Sequence, residues 1–600
     1  MGAAEDLKNT LKALEKSKVM DDPRKQPVKK VDPQPDSLAL VAESLDEIEQ
    51  VSHPAEIEEL VLKINNLVEI DFVARFENLT KLVIVDQYVE DLRPLANLKK
   101  LEFLDLSSNR IKDMTPLKDL SRLKHLDLSS NHIEEMTAMC SLSSLVHLNL
   151  FNNQIEDASP IECFEKLEFL DLSDNFLDSL VPVQDFLGLK ALIVDENDES
   201  FDLGPLKKLV GLERLEIREI SSLDSILHLK NLEVLRIDEG EFDISKLHEF
   251  RKLKKLSLNM DDFSDLSAIK NLLHLEELTV MGGSLVDLSP LSGMQSLRKI
   301  HLPFNEITDI APLKDLTQLE ELDLDGNEIE DFSILSTLKN LKKLGLNDVG
   351  ITNFSVMTPL KELTELALKD ESTRTDEVVD WQAIFELPHL TRLELTLNEL
   401  ENLEEFSRLD KLEVLDFSGE GVHDFSGLPL MPNLKELSLY CPKLGDLTLA
   451  SKCPQLTTLY VNGGKIADLR PLLELEHLQL LELVDCGVKD VSALRGMIGL
   501  RELSLWKNPI EDISPLGQLE YLVRLDLDGT QVKDLKPVEH LSRLARISAN
   551  QSPAEEAANE AREAEEPGPV DNETWKMIGI GVLALAFFWI LRTVFGIKFW

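Results

Sequence analysis

His125 and His147 stand 22 places apart, each two places after a leucine, so they occupy matching positions in neighbouring copies of a repeat. Two imidazoles supply half of a zinc site. No third His, Cys or carboxylate has a spacing that fixes it beside them, so no metal is expected. Paired acids such as Asp323 with Asp325 and Asp526 with Asp528 are the other reactive candidates. They recur at alternate, solvent-facing strand positions, where an open surface is not expected to desolvate them enough to move a pKa. The sequence has no phosphate-cradling glycine loop, H-E-x-x-H helix or nucleophile elbow. Neither catalysis nor a cofactor is expected.

These positions suit adhesion better. Phe103, His125, His147 and Phe169 fall two places after successive leucines, beside Asp105, Asp127, Asn149 and Asp171 four places after them. An aromatic stripe flanked by acids is a docking surface for a protein with a basic face, because aromatic anchors and charge complementarity dominate such contacts. A second group, Tyr440, Tyr460 and Trp506 with Val484, lies towards the C-terminal end of the repeats.

The elements that carry these residues follow from periodicity. Leu101, Leu123, Leu145 and Leu167 recur every 22 residues, in units of the form L-x-x-L-x-L-x-x-N-x-I-x-D-[ILM]-x-P-L, nearly complete over Leu101–Leu117. Leu-x-Leu alternates with period two, which makes it a strand with leucines inward and the intervening residues outward. One unit cannot bury its leucines alone, so the units stack into a solenoid with a parallel sheet on its concave face. Short units leave the convex side extended or 3₁₀, with Pro116, Pro160, Pro290, Pro312 and Pro515 placed where a backbone donor is not needed. Asn109, Asn131, Asn153 and Asn175, and later Asn305 and Asn327, should form a ladder that satisfies the backbone leaving each strand. The spacing slips near Leu212 and Leu232, and one longer unit between Leu363 and Leu390 carries Trp381, read as a local packing anchor.

This motif is similar to the leucine-rich repeat. Units such as Asn305-Glu-Ile307-Thr-Asp309-Ile310-Ala-Pro312-Leu313 and Asn508-Pro-Ile510-Glu-Asp512-Ile513-Ser-Pro515-Leu516 resemble the internalin-like 22-residue subclass, which includes a eukaryotic regulatory subunit of a Ser/Thr phosphatase. The resemblance spans roughly Ile57 to Asn550 and implies protein recognition on the concave face.

The ends differ in kind. Residues 1–36 are expected to be a mobile segment with a basic, Pro-bearing linker. Leu38, Val41, Leu45 and Ile48, spaced by three and four, predict an amphipathic helix over Ser37–Gln50, within a helical cap at 37–56. The solenoid occupies 57–550 and an acidic linker 551–574. Residues 575–600 are expected to anchor the chain in a bilayer. Met577–Leu591 is uncharged between Lys576 and Arg592 and would cover about 22 Å as a helix. Snorkelling by Lys576 and Arg592, with Trp575 and Trp600 at the interfaces, extends its reach.

A formal charge of −47 disfavours nucleic acid and anionic lipid surfaces. Five scattered cysteines read as a reducing compartment, and Met1–Lys8 lacks the apolar run of a secretory signal. The solenoid is therefore expected to face the cytoplasm, although Arg592 and Lys598 against Lys576 favour the opposite orientation. The sequence reads best as a membrane-tethered protein-binding scaffold or adaptor. Alternatives are a structural subunit of a membrane complex and a regulatory subunit of a phosphatase-like enzyme.

Overall fold

The computed structural model describes residues 39–552, apart from 43, 65–66, 137–138, 198–200, 241, 261–262, 370–380, 397–402, 424, 545 and 551. The expected N-terminal segment, most of the acidic linker and the apolar tail, including Trp575, Lys576, Arg592 and Trp600, lie outside the described residues. No helix among the described residues is long and apolar enough to cross a membrane.

The chain divides into two compact units, Met1–Met260 with Ser267–Leu275 and Asp261–Leu266 with Glu276–Trp600. In the first, successive short strands pair in parallel, from Ala39–Ala42 and Glu59–Leu62 through Phe103–Asp105, His125–Asp127, His147–Asn149 and Phe169–Asp171 to Lys255–Asn259. The second repeats the plan from Glu277–Met281 to Arg546–Ser548. Each strand pairs with the same position of the next repeat, so the register puts leucine on leucine. Leu104, Leu126, Leu148 and Leu170 are fully buried. Truncating such a leucine costs about 2–5 kcal/mol because the packed neighbours cannot close the void.

The return segments are 3₁₀ turns, as the short unit requires. Thr115–Leu117, Ser159–Cys163, Ser289–Leu291, Ala311–Leu313 and Ser514–Gln518 each begin with the motif's proline in their first two positions. The preceding aspartate of the motif starts the turn, since its carboxylate accepts the backbone N–H two residues on. Asp113 takes Thr115 at 2.8 Å, Asp157 takes Ser159 at 2.8 Å and Asp309 takes Ala311 at 2.8 Å.

The asparagine ladder carries the exit from each strand. Asn153 Nδ2 donates to the carbonyls of Leu128, Leu150 and Phe151 at 3.0, 3.1 and 3.2 Å, while its Oδ1 accepts from Ile133 N at 3.0 Å. Asn109, Asn131, Asn175, Asn197, Asn305, Asn327 and Asn508 make the same set of bonds. Cys486 replaces the amide with a thiol that faces the carbonyls of Val461, Gly463 and Val484 at 3.4, 3.3 and 3.3 Å. Its own carbonyl accepts the Ile466 N–H, the donor an asparagine would have satisfied. The residue before each asparagine is left-handed, as at Ser108 (φ 55), Ser130 (φ 54), Asn152 (φ 52) and Asp174 (φ 52). That conformation costs a non-glycine residue roughly 1–2 kcal/mol, which the ladder bonds offset.

The helix expected over Ser37–Gln50 is replaced by a strand, Ala39–Ala42, and a five-residue helix, Leu45–Glu49. The strand pairs with Glu59–Leu62, covering backbone groups that a sheet edge would otherwise leave open. Ser44 caps the helix through the Glu47 N–H at 3.3 Å. In the long unit, Trp381 precedes the short helix Gln382–Phe385, and its ring lies 4.6 Å from that of Phe354. This unit thus has an α-helical turn where most repeats have 3₁₀, with Trp381 as its packing anchor.

Candidate functional site

The open face of the first unit's sheet carries the aromatic stripe. Parallel register aligns Phe103, His125, His147 and Phe169 across four strands, and the rings stack nearly flat. Centroids lie 4.1, 4.0 and 4.0 Å apart, with interplanar angles of 5°, 12° and 10°. Lys81 reaches the outer face of Phe103, with Nζ 5.3 Å from the centroid. All four residues are half-buried.

Burial chiefly, with the Lys81 charge adding, pushes the His125 pKa down to about 4. His125 is therefore a neutral imidazole at pH 7, which avoids a cation inside the stack. Among the described residues, no group of three His, Cys, Asp or Glu is arranged to hold a metal.

The carboxylates beside the stack are strongly perturbed, which corrects the expectation that an open face leaves them unshifted. Burial raises Asp105 to about 6, with the Asp127 charge adding, and burial also raises Asp127. Ser107 and Ser129 each donate a hydroxyl and a backbone N–H to the aspartate two places before them, and Asn149 Nδ2 donates to Asp127 at 2.9 Å. These bonds soften the burial cost without removing it. The sheet is open as a whole, but its neighbouring side chains leave Asp105 and Asp127 only half-exposed.

The same row continues into a cluster that the sequence reading did not single out. Arg236 sits 2.9 Å from both Asp195 and Asp238. Burial, only partly countered by Arg236, raises Asp195 to about 7. The signal available in sequence was the charged alternation Arg214, Glu216, Arg218 and Arg236, Asp238, obscured by the irregular spacing around Leu212 and Leu232.

In the second unit the expected C-terminal group is dispersed. Tyr440 pairs in register with Ser418 and Asn462, whereas Tyr460 lies in another row between Ser438 and Glu482. Tyr440 is 49% exposed, and Lys507 Nζ lies 4.2 Å from the Trp506 ring. These aromatics share a sheet face without forming an unbroken stripe. A different feature stands out earlier in the same unit. Burial, with the Asp323 charge adding, lifts Asp325 to about 8, although Asn347 donates to it through both its backbone N–H and its side chain at 2.7 Å. Burial opposes it, but the carboxylates of Asp323 and Glu321, 3.8 and 3.6 Å from the ring nitrogens, carry His301 up to about 9.

Parallel strands of one period, proline-opened 3₁₀ returns and an asparagine ladder make up a leucine-rich-repeat solenoid fold. Residues 99–139, 143–186 and 295–337 match the family model described as Leucine Rich repeats (2 copies). No curated protein matches the chain. Similar solved structures include an internalin (inlF) from Listeria monocytogenes, 23% identical over 62% of this chain and 92% of that one, with a TM-score of 0.34. The ectodomain of the receptor kinase GASSHO1/SCHENGEN3 from Arabidopsis thaliana, solved with CASPARIAN STRIP INTEGRITY FACTOR 2, is 17% identical over 86% of this chain and 81% of that one, TM-score 0.36. TLR13, solved with ssRNA13, is 19% identical over 81% of this chain and 90% of that one, TM-score 0.42. At these TM-scores the likeness bears on neither partner nor ligand.

Proposed function

We propose that the protein is a recognition scaffold that holds a partner with a basic surface on the open face of its sheet. The observation that carries this reading is the four-ring stack from Phe103 to Phe169 beside the burial-raised carboxylates of Asp105 and Asp127. Flat, pre-ordered aromatic area offers contact at little entropic cost. Carboxylates already stripped of part of their water gain most from a lysine or arginine brought alongside.

The charge pattern predicts a pH dependence. A bound cation favours ionised Asp105, whose pKa is about 6 in the free protein. Below that pH a proton must leave before the cation can pair, so affinity should rise as pH goes from 5 to 7, by up to about tenfold for one linked proton. His125, at about 4, stays neutral throughout this window. Titrating a partner recovered by proximity labelling at pH 5, 6 and 7 tests the point, and flat affinity would exclude Asp105 from the contact. The stability terms run in opposite senses. The raised Asp105 contributes stability that is complete below about pH 4 and is lost as pH rises through 6, whereas the lowered His125 contributes stability present above about 6.5 and lost as pH falls through 4.

The finer reading is that this scaffold is tethered through residues 575–600, with the repeats facing the cytoplasm. Its support is the uncharged run Met577–Leu591 between Lys576 and Arg592, with Trp575 and Trp600 at its margins. Removing residues 575–600 should move the protein from the membrane pellet to the supernatant. Retention in the pellet after alkaline carbonate washing would contradict the tether.

A further inference from the structure

Two thiols meet on the return side of the repeats that carry the imidazoles. Cys140 lies in the turn Met139–Ser141, and Cys163 closes the turn Ser159–Cys163 of the next repeat. Both donate to one acceptor, the carbonyl oxygen of Pro160, at 3.1 Å from Cys140 and 3.0 Å from Cys163. The strands of these repeats, His125–Asp127 and His147–Asn149, are paired in register, so the fold itself fixes the approach of the two turns. Cys441, Cys453 and Cys486 are buried, whereas Cys140 is exposed and Cys163 half-buried.

We propose that Cys140 and Cys163 are a redox-responsive pair that closes into a disulfide between adjacent repeats on meeting a low-molecular-weight disulfide such as oxidised glutathione. The exposed Cys140 gives its proton to water, and the thiolate attacks one sulfur of the oxidant, whose S–S bond breaks to release one glutathione thiolate. Cys163 then loses its proton and attacks the Cys140 sulfur of the mixed disulfide, expelling the second glutathione thiolate. Two protein thiols are oxidised and one glutathione disulfide becomes two thiols, with no other reactant required. Burial, with the neighbouring Cys140 thiol adding, pushes the Cys163 thiol up to about 12. Closure is therefore the slow step and accelerates as pH rises. The bridge would join the repeats bearing His125 and His147, stapling the middle of the stack from the opposite side of the sheet.

The test uses the reduced full-length chain, oxidised stepwise with glutathione disulfide at pH 7 and 8.5, then alkylated and mapped by peptide mass. The expected result is a Cys140–Cys163 linked peptide and the loss of two thiols per chain, with faster closure at the higher pH. Cys441, Cys453 and Cys486 should be alkylated only after denaturation. Cys163→Ser should instead accumulate one glutathione on Cys140. If the unaltered chain keeps glutathione on Cys140 without a linked peptide, or links Cys140 to a second chain, the proposal is overturned.

Discussion

Asn153→Ala should destabilise its repeat by about 3 kcal/mol, from three lost amide bonds and one orphaned buried donor. Among the described residues, the Ile133 N–H donates to the Asn153 Oδ1 alone, at 3.0 Å. The carbonyls of Leu128 and Leu150 fare better, because Asn131 and Asn175 also donate to them. Shared rungs therefore spread part of the damage, and the loss should be largest at Ile133. Hydrogen exchange reads this locally, with the Ile133 amide exchanging about 100-fold faster and little change several repeats away, since a repeat array is stabilised mainly by neighbour contacts. Asn153→Asp should be worse, since a carboxylate keeps the acceptor for Ile133 but faces three carbonyls. Unchanged exchange at Ile133 in the alanine variant would show that the ladder is incidental to stability.

Phe103→Ala with Phe169→Ala should weaken the partner by about 2–4 kcal/mol, roughly 30- to 1,000-fold in Kd. These rings end the stack, so their loss removes contact area and uncovers the outer faces of His125 and His147. The leucines between them stay buried, so the fold should survive, and an unaltered far-UV circular dichroism spectrum is the control. Tyr440→Ala should have little effect, because Tyr440 stands between Ser418 and Asn462 without an aromatic neighbour in register. Equal loss in the two cases would point to general destabilisation rather than a contact.

The stack was legible in sequence because one period sets both the strand and its register. A residue two places after Leu101 must lie beside the residue two places after Leu123. The 3₁₀ returns were legible for the same reason, since a 22-residue unit leaves no length for a convex helix. What lay hidden depended on surroundings rather than spacing. Asp105 and Asp325 are perturbed because neighbouring side chains half-bury them, and no pattern of letters shows how much water that removes. The Arg236 cluster sits where the spacing slips. At the N-terminus the helical spacing of Leu38, Val41, Leu45 and Ile48 misled, because an open sheet edge recruited Ala39–Ala42 as a strand. Cys140 and Cys163 looked scattered until the turns brought them to one carbonyl.

Site-specific photo-cross-linking reads out whether the open face around the ring stack holds the partner. A benzophenone amino acid replaces Phe103, keeping an aromatic ring in place, or replaces the exposed Lys118 on the return side, and the full chain is irradiated with its partner bound. A cross-linked partner is expected from position 103 and none from position 118. Capture from Lys118 with none from Phe103 would contradict it.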